Sequence, residues 1–186
     1  MVNSLKHRGP DDSGVYFDNV QKIGLGHTRL SIIDVSNGGH QPMISNDERY
    51  IIVFNGEIYN YREIRNRLAT HFTFYSNSDT EVLLNAYRHW GVDCLHELEG
   101  MFAFAIYDTV KCSLFIARDR VGEKPLYYHR TSSGILFASE IRSILKSGLV
   151  KAELNHDVLS EFLSTQTVHP PETLVRQIFM LEAGHY

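Results

Sequence analysis

The chain has 186 residues, 43% hydrophobic and 22% charged, a composition that supports one soluble globular domain with a sizeable core. A formal net charge of −4 excludes nucleic acid and anionic membrane as main partners, and no apolar stretch reaches the length of a bilayer span. Two widely separated cysteines, Cys94 and Cys112, read as small buried thiols in a reducing cytoplasm rather than as a disulfide framework.

In chain order, alternating apolar runs predict strands at Gly14–Asp18, Ile23–Leu30, Tyr50–Phe54 and Phe72–Tyr75. Four more are expected at Phe102–Asp108, Leu114–Asp119, Leu126–His129 and Ile135–Ala138. Short turn-rich spacers between these last four point to a single antiparallel meander. Glu57–Leu68 has helical spacing. Ser78-Asp79-Thr80-Glu81 has the form of a capping box and opens a helix that runs to Trp90, with Gly91 as its C-cap. Further helices are expected at Glu140–Lys146 and His156–Thr165. Separate blocks of strands and helices make the class α+β, with helices packed outside sheets.

Asn55-Gly56 ends the run YIIVF and is read as a strand-to-helix corner. Backbone N–H groups at a helix start and an asparagine amide could stabilise a developing oxyanion there, and a plain turn is the alternative. Arg29, near a strand end, could hold a carboxylate through two hydrogen bonds, and Asp79 could accept from an ammonium. Solvation of the arginine and a simple helix-dipole role for the aspartate are the ordinary readings of such residues. His7, His27 and His40 occupy polar loops but have no metal-site spacing, and no metal is expected. Arg118, Asp119, Arg120 and Lys124 are expected to organise a loop through ion pairs.

The ordered series HRGPDDSG, LGHTRLSIID, GGHQPM, FNGEIYNYREIR, SDTEVLLNAY, LEGMFAFAIYD, ARDRVGEKPLYY and FASEI resembles the glutaminase domain of class II glutamine amidotransferases. It is most similar to that of glutamine-hydrolysing asparagine synthetases. The resemblance covers Leu5 to Tyr186 and implies one domain over residues 1–186. The implied fold is that of the N-terminal-nucleophile hydrolases, an αββα sandwich of two antiparallel sheets flanked by helices. In that family a terminal cysteine attacks the side-chain amide of L-glutamine, its own amine acting as base, and a thioester forms and is hydrolysed. The resemblance assigns the oxyanion hole to Asn55 and the Gly56 N–H, the substrate carboxylate to Arg29 and its ammonium to Asp79. Leu30, Ile32 and Glu57 would line the same pocket.

Family members begin Met-Cys-Gly, whereas this chain reads Met1-Val2-Asn3-Ser4-Leu5 and then enters the HRGPD motif. By that resemblance it lacks the nucleophile and the first strand, so no hydrolysis is expected from the chain alone. The unpaired strand edges this would leave predict self-association. Leu181-Glu182-Ala183-Gly184-His185 resembles the segment leading into a synthetase domain in cis. ATP and magnesium would belong to that domain, with no cofactor in this one. Two other readings stay open: a non-catalytic glutamine-binding or interaction module, and an amidotransferase with a different acceptor.

Overall fold

A computed structural model describes residues 1–186. The chain begins with a 3₁₀ turn at Val2–Leu5 and then forms a hairpin of β1 (Asp12–Asp18) and β2 (Ile23–Arg29). A four-stranded antiparallel sheet follows in the order β3-β4-β5-β6: β3 (Met43–Ile44), β4 (Tyr50–Ile58), β5 (Gly100–Asp108) and β6 (Ser113–Arg118). Between β4 and β5 lie α1 (Tyr61–Leu68), α2 (Asp79–Trp90) and the short α3 (Cys94–Glu97). The last part contains β7 (Tyr127–Thr131), β8 (Gly134–Ala138), α4 (Ile141–Leu145), α5 (Leu159–Thr165) and β9 (Phe179–Met180), with the strands ordered β8-β7-β9.

Alternation along β4 sorts its side chains between two cores. Ile52, Phe54 and Ile58 join Ile64 and Leu68 of α1 and Val82, Leu83 and Ala86 of α2 in the largest apolar cluster. Ile51 and Val53 face the other way and meet Leu25 of β2, Ala105 and Tyr107 of β5, and Phe137 of β8. A third cluster packs Ile144 of α4 under Ala138 and Ile178. The layers are therefore helices, the β3–β6 sheet, a second layer formed by β1-β2 and β8-β7-β9, and α4 outside it. This is the expected αββα order. Truncating a fully buried leucine such as Leu83 would cost about 2–5 kcal/mol.

Several expectations are corrected. The four late strands do not form one meander: β5-β6 and β7-β8 are hairpins in different sheets. The switch occurs over residues 119–126, where Asp119, fully buried, accepts N–H groups from Phe102, Val121, Glu123 and Lys124. Arg118 donates to the carbonyls of Gly122, Lys124 and Leu181, and Arg120 to those of Leu95 and Leu98. Backbone groups, not ion pairs, organise this loop.

Residues 72–75 are not a strand. Phe72 and Phe74 alternate because both rest on the main core, while Glu81 takes the N–H groups of Tyr75 and Ser76. That diversion leaves the capping box half made: Ser78 Oγ accepts from the Thr80 N–H, but Ser78 N–H goes to Ser76 Oγ. The expected helix at Glu57 starts four residues later, at Tyr61, because Glu57 and Ile58 complete β4. His156–Thr165 divides into a 3₁₀ turn at His156–Val158 followed by α5. Cys94 is buried as expected, but Cys112 is exposed in the β5–β6 turn.

Candidate active site

Asn55 and Gly56 lie within β4, paired with Ala103 and Phe102, and form no corner. Gly56 has φ 157°, and a Cβ there would lie 2.1 Å from the Met101 carbonyl oxygen, so the close approach of β5 requires glycine. β3 covers only Ile51 and Ile52 of the outer edge of β4. Past that point Phe54 and Ile58 turn their N–H groups to this edge, the first to Gln41 Oε1 (2.7 Å) and the second to Asp79 Oδ2 (3.0 Å). Gly56 has the same parity, so its N–H faces the same edge between them. The side-chain amide of Asn55 leaves the strand toward the second sheet layer, and its Nδ2 is buried with no hydrogen-bond partner.

A cavity of about 680 Å³ opens here. It is bounded by β2, the loop that follows it, β4, β8 and the start of α2, and includes Arg29, Asn55, Gly56, Glu57 and Asp79. Leu30 and Ile32 also line it, as exposed side chains at its rim. All seven residues singled out in the sequence thus converge on one space.

The two charged anchors are held differently. Arg29 is 8% exposed; it donates to the Ser36 carbonyl at 2.9 Å and to the Asp34 carbonyl. Its remaining guanidinium N–H groups are available to a carboxylate. Gly39 packs directly on it, since a Cβ at Gly39 would lie 1.9 Å from Arg29 Nη2. Asp34 in turn accepts from Ser36 and from the Asn77 N–H, tying this loop to the start of α2. Asp79 is 6% exposed, and burial pushes its carboxyl up to about 6, with the nearby charge of Glu57 adding to the effect. Two helix-start N–H bonds and that of Ile58 oppose the shift without cancelling it.

His27, expected in a polar loop, lies in β2 and adds a feature that sequence reasoning missed. Its Nε2 lies 2.9 Å from the Phe54 carbonyl and must donate to it; burial pulls the ring down to about 4, so it is neutral at pH 7. Nδ1 is then a buried acceptor with no partner. His7 and His40 are engaged elsewhere, with Glu140 and Asp12. Gln41 was legible only as part of a loop; its burial shows only in the fold. Neither cysteine lines the cavity: Cys94 is in the main core, where burial raises its thiol to about 12.

An unpaired amide donor, an open strand-edge N–H and a pair of opposite charges in one cavity match the groups of an amino acid with a side-chain carbonyl. The sequence model of the glutamine amidotransferase domain matches residues 1–186. The chain belongs to this family. The amidotransferase domain is 44% identical over 185 residues to the glutamine-hydrolysing asparagine synthetase 1 of Bacillus subtilis, covering 99% of this chain and 29% of the relative. Asparagine synthetase 3 of the same organism is 42% identical over 176 residues, covering 93% and 28%. The amidase chry2 of Gibberella zeae is 43% identical over 148 residues, 80% of this chain and 22% of that protein. The chain thus spans less than a third of each of these three relatives. In fold, the domain superposes on glutamine phosphoribosylpyrophosphate amidotransferase of B. subtilis with a TM-score of 0.66 and 22% identity, over 82% of this chain and 41% of that one. No helix is long and apolar enough to cross a membrane.

Proposed function

We propose that the cavity binds L-glutamine with Arg29 on the α-carboxylate, Asp79 on the α-ammonium, and Asn55 Nδ2 with the Gly56 N–H on the side-chain carbonyl oxygen. The observation that carries this reading is the buried, unpartnered amide of Asn55, because a buried donor without an acceptor costs about 1–3 kcal/mol unless a ligand supplies one. Attack of a thiolate on the carboxamide carbon moves the carbonyl electrons onto oxygen, and both donors then bind an oxyanion. The proton taken from the thiol passes to the leaving nitrogen, so collapse expels ammonia and leaves a thioester, which water cleaves to glutamate and the free thiol. The nucleophile in this scheme is neither Cys94 nor Cys112, since neither reaches the cavity. Glu57, beside Asp79, adds to the negative field that attracts the ammonium.

In the full-length protein the ammonia would serve ATP-dependent amidation of aspartate by a synthetase domain in cis, in a reducing cytoplasm. The products would be asparagine, glutamate, AMP and pyrophosphate, and the ATP and magnesium sites would lie in that domain. Similarity to the two synthetases supports this acceptor; similarity to the amidase chry2 supports a second reading in which the acceptor differs. The lack of a thiol in the cavity favours a third, that the chain serves only to bind glutamine. Calorimetry tests the shared core of these readings. The chain should bind L-glutamine saturably, and Arg29→Ala should weaken binding about 10–100-fold, the equivalent of a charge-assisted contact. No saturable binding, or affinity unchanged from the parent in Arg29→Ala and in Asp79→Asn, would refute the assignment.

A further inference from the structure

The outer edge of β4 is bare beyond Ile52, and Gln41 repairs it at one residue. Its side chain is 5% exposed. Oε1 accepts the Phe54 N–H at 2.7 Å, and Nε2 donates to the Phe54 carbonyl at 3.3 Å. One primary amide thus imitates the donor and acceptor of a neighbouring strand residue. The second Nε2 hydrogen reaches Thr80 Oγ1, also at 3.3 Å, immediately after Asp79. His27 donates to the same Phe54 carbonyl.

The Phe54 carbonyl shares a rigid peptide plane with the Asn55 N–H. Holding that plane sets the direction in which the Asn55 side chain leaves the strand, and the next plane carries the Gly56 N–H. We infer that Gln41 is a positioning residue for these two carbonyl-binding donors and, through Thr80, fixes their separation from Asp79. It touches no substrate itself. This inference rests on the glutamine-binding reading above. Displacement of a binding group by 1 Å can cost about 10²-fold in a reaction, so an edge without Gln41 would keep the donors but lose their aim.

L-Norvaline has the backbone and aliphatic chain of glutamine but no carboxamide, so the ratio of the two affinities isolates the Asn55 end. In the unaltered chain glutamine should bind more tightly than norvaline. Gln41→Met, similar in length and unable to form the three hydrogen bonds, should lower that ratio about tenfold while norvaline affinity stays within about twofold. In an Asn55→Ala background it should lower the ratio by clearly less than tenfold, because only the Gly56 N–H is left to aim. If Gln41→Met does not fold, Gln41→Glu keeps the acceptor for Phe54 and loses both donors, and the same fall in the ratio is expected. Equal weakening of both ligands, or an additive fall on top of Asn55→Ala, overturns the positioning role and leaves glutamine binding intact. A ratio unaffected by Asn55→Ala itself, or no glutamine binding at all, removes the underlying reading and this inference with it.

Discussion

Asp79→Asn separates what the site does from what the fold prefers. The Asp79 carboxyl is held at about 6 against an ordinary 3.8, chiefly by burial, so the folded chain binds a proton more tightly than the unfolded one. A raised carboxyl destabilises the folded state as pH rises through the window from 3.8 to about 6. At 1.36 kcal/mol per pH unit the penalty at pH 7 is about 3 kcal/mol, as an upper figure for a side chain 6% exposed. Asparagine is neutral and keeps an acceptor for the Ile58 N–H. Urea denaturation should therefore show the variant more stable than the parent by up to about 3 kcal/mol at pH 7, with no difference at pH 3. Glutamine binding should change in the opposite direction. The variant should bind weakly at all pH values, while the parent should lose about tenfold in affinity from pH 7 to pH 5 as Asp79 takes up its proton. A variant less stable at pH 7, or a stability gap independent of pH, would refute the argument from burial.

Gly39→Ala should push the Arg29 guanidinium aside, because the added carbon meets the far end of that side chain. Glutamine affinity should fall about tenfold and unfolding free energy by about 1–3 kcal/mol, as the displaced guanidinium gives up its bonds to the Ser36 and Asp34 carbonyls, read by calorimetry and urea titration. Cys112, exposed, should react with a thiol reagent in the native state, and Cys94 only after denaturation; equal rates would contradict the packing. The chain alone should release no ammonia from glutamine. Release that disappears with Cys112→Ala would identify a nucleophile outside the cavity, and release surviving loss of both cysteines would defeat the thiol mechanism.

Strand and helix periods made the α+β class legible, and the layer order and the seven pocket residues were legible through the resemblance carried by the ordered motifs. Boundaries were less so. Glu57 carries a good helix-start residue, yet β5 runs long enough to pair with β4 through Ile58, and this pairing overrides it. Phe72 and Phe74 alternate like a strand, but no other strand pairs with them. Gln41 and His27 could not be ranked from sequence, because their importance lies in which backbone atoms they reach across 13 and 27 residues. The same holds for Asp34, whose bond to the Asn77 N–H spans 43 residues.

The placement of Asn55 and Gly56 on consecutive strand residues limits how this pocket can change. One donor is a side chain directed off the sheet and the other a backbone group directed along its plane, so they are locked at right angles by the pleat. A single inserted or deleted residue in β4 before Asn55 would exchange the two directions and turn Ile51 and Val53 out of their core. This pair of donors is consequently kept whole or lost whole. Variation in what the cavity admits is open to exposed lining side chains such as Leu30 and Ile32, which can be replaced without disturbing a strand pair.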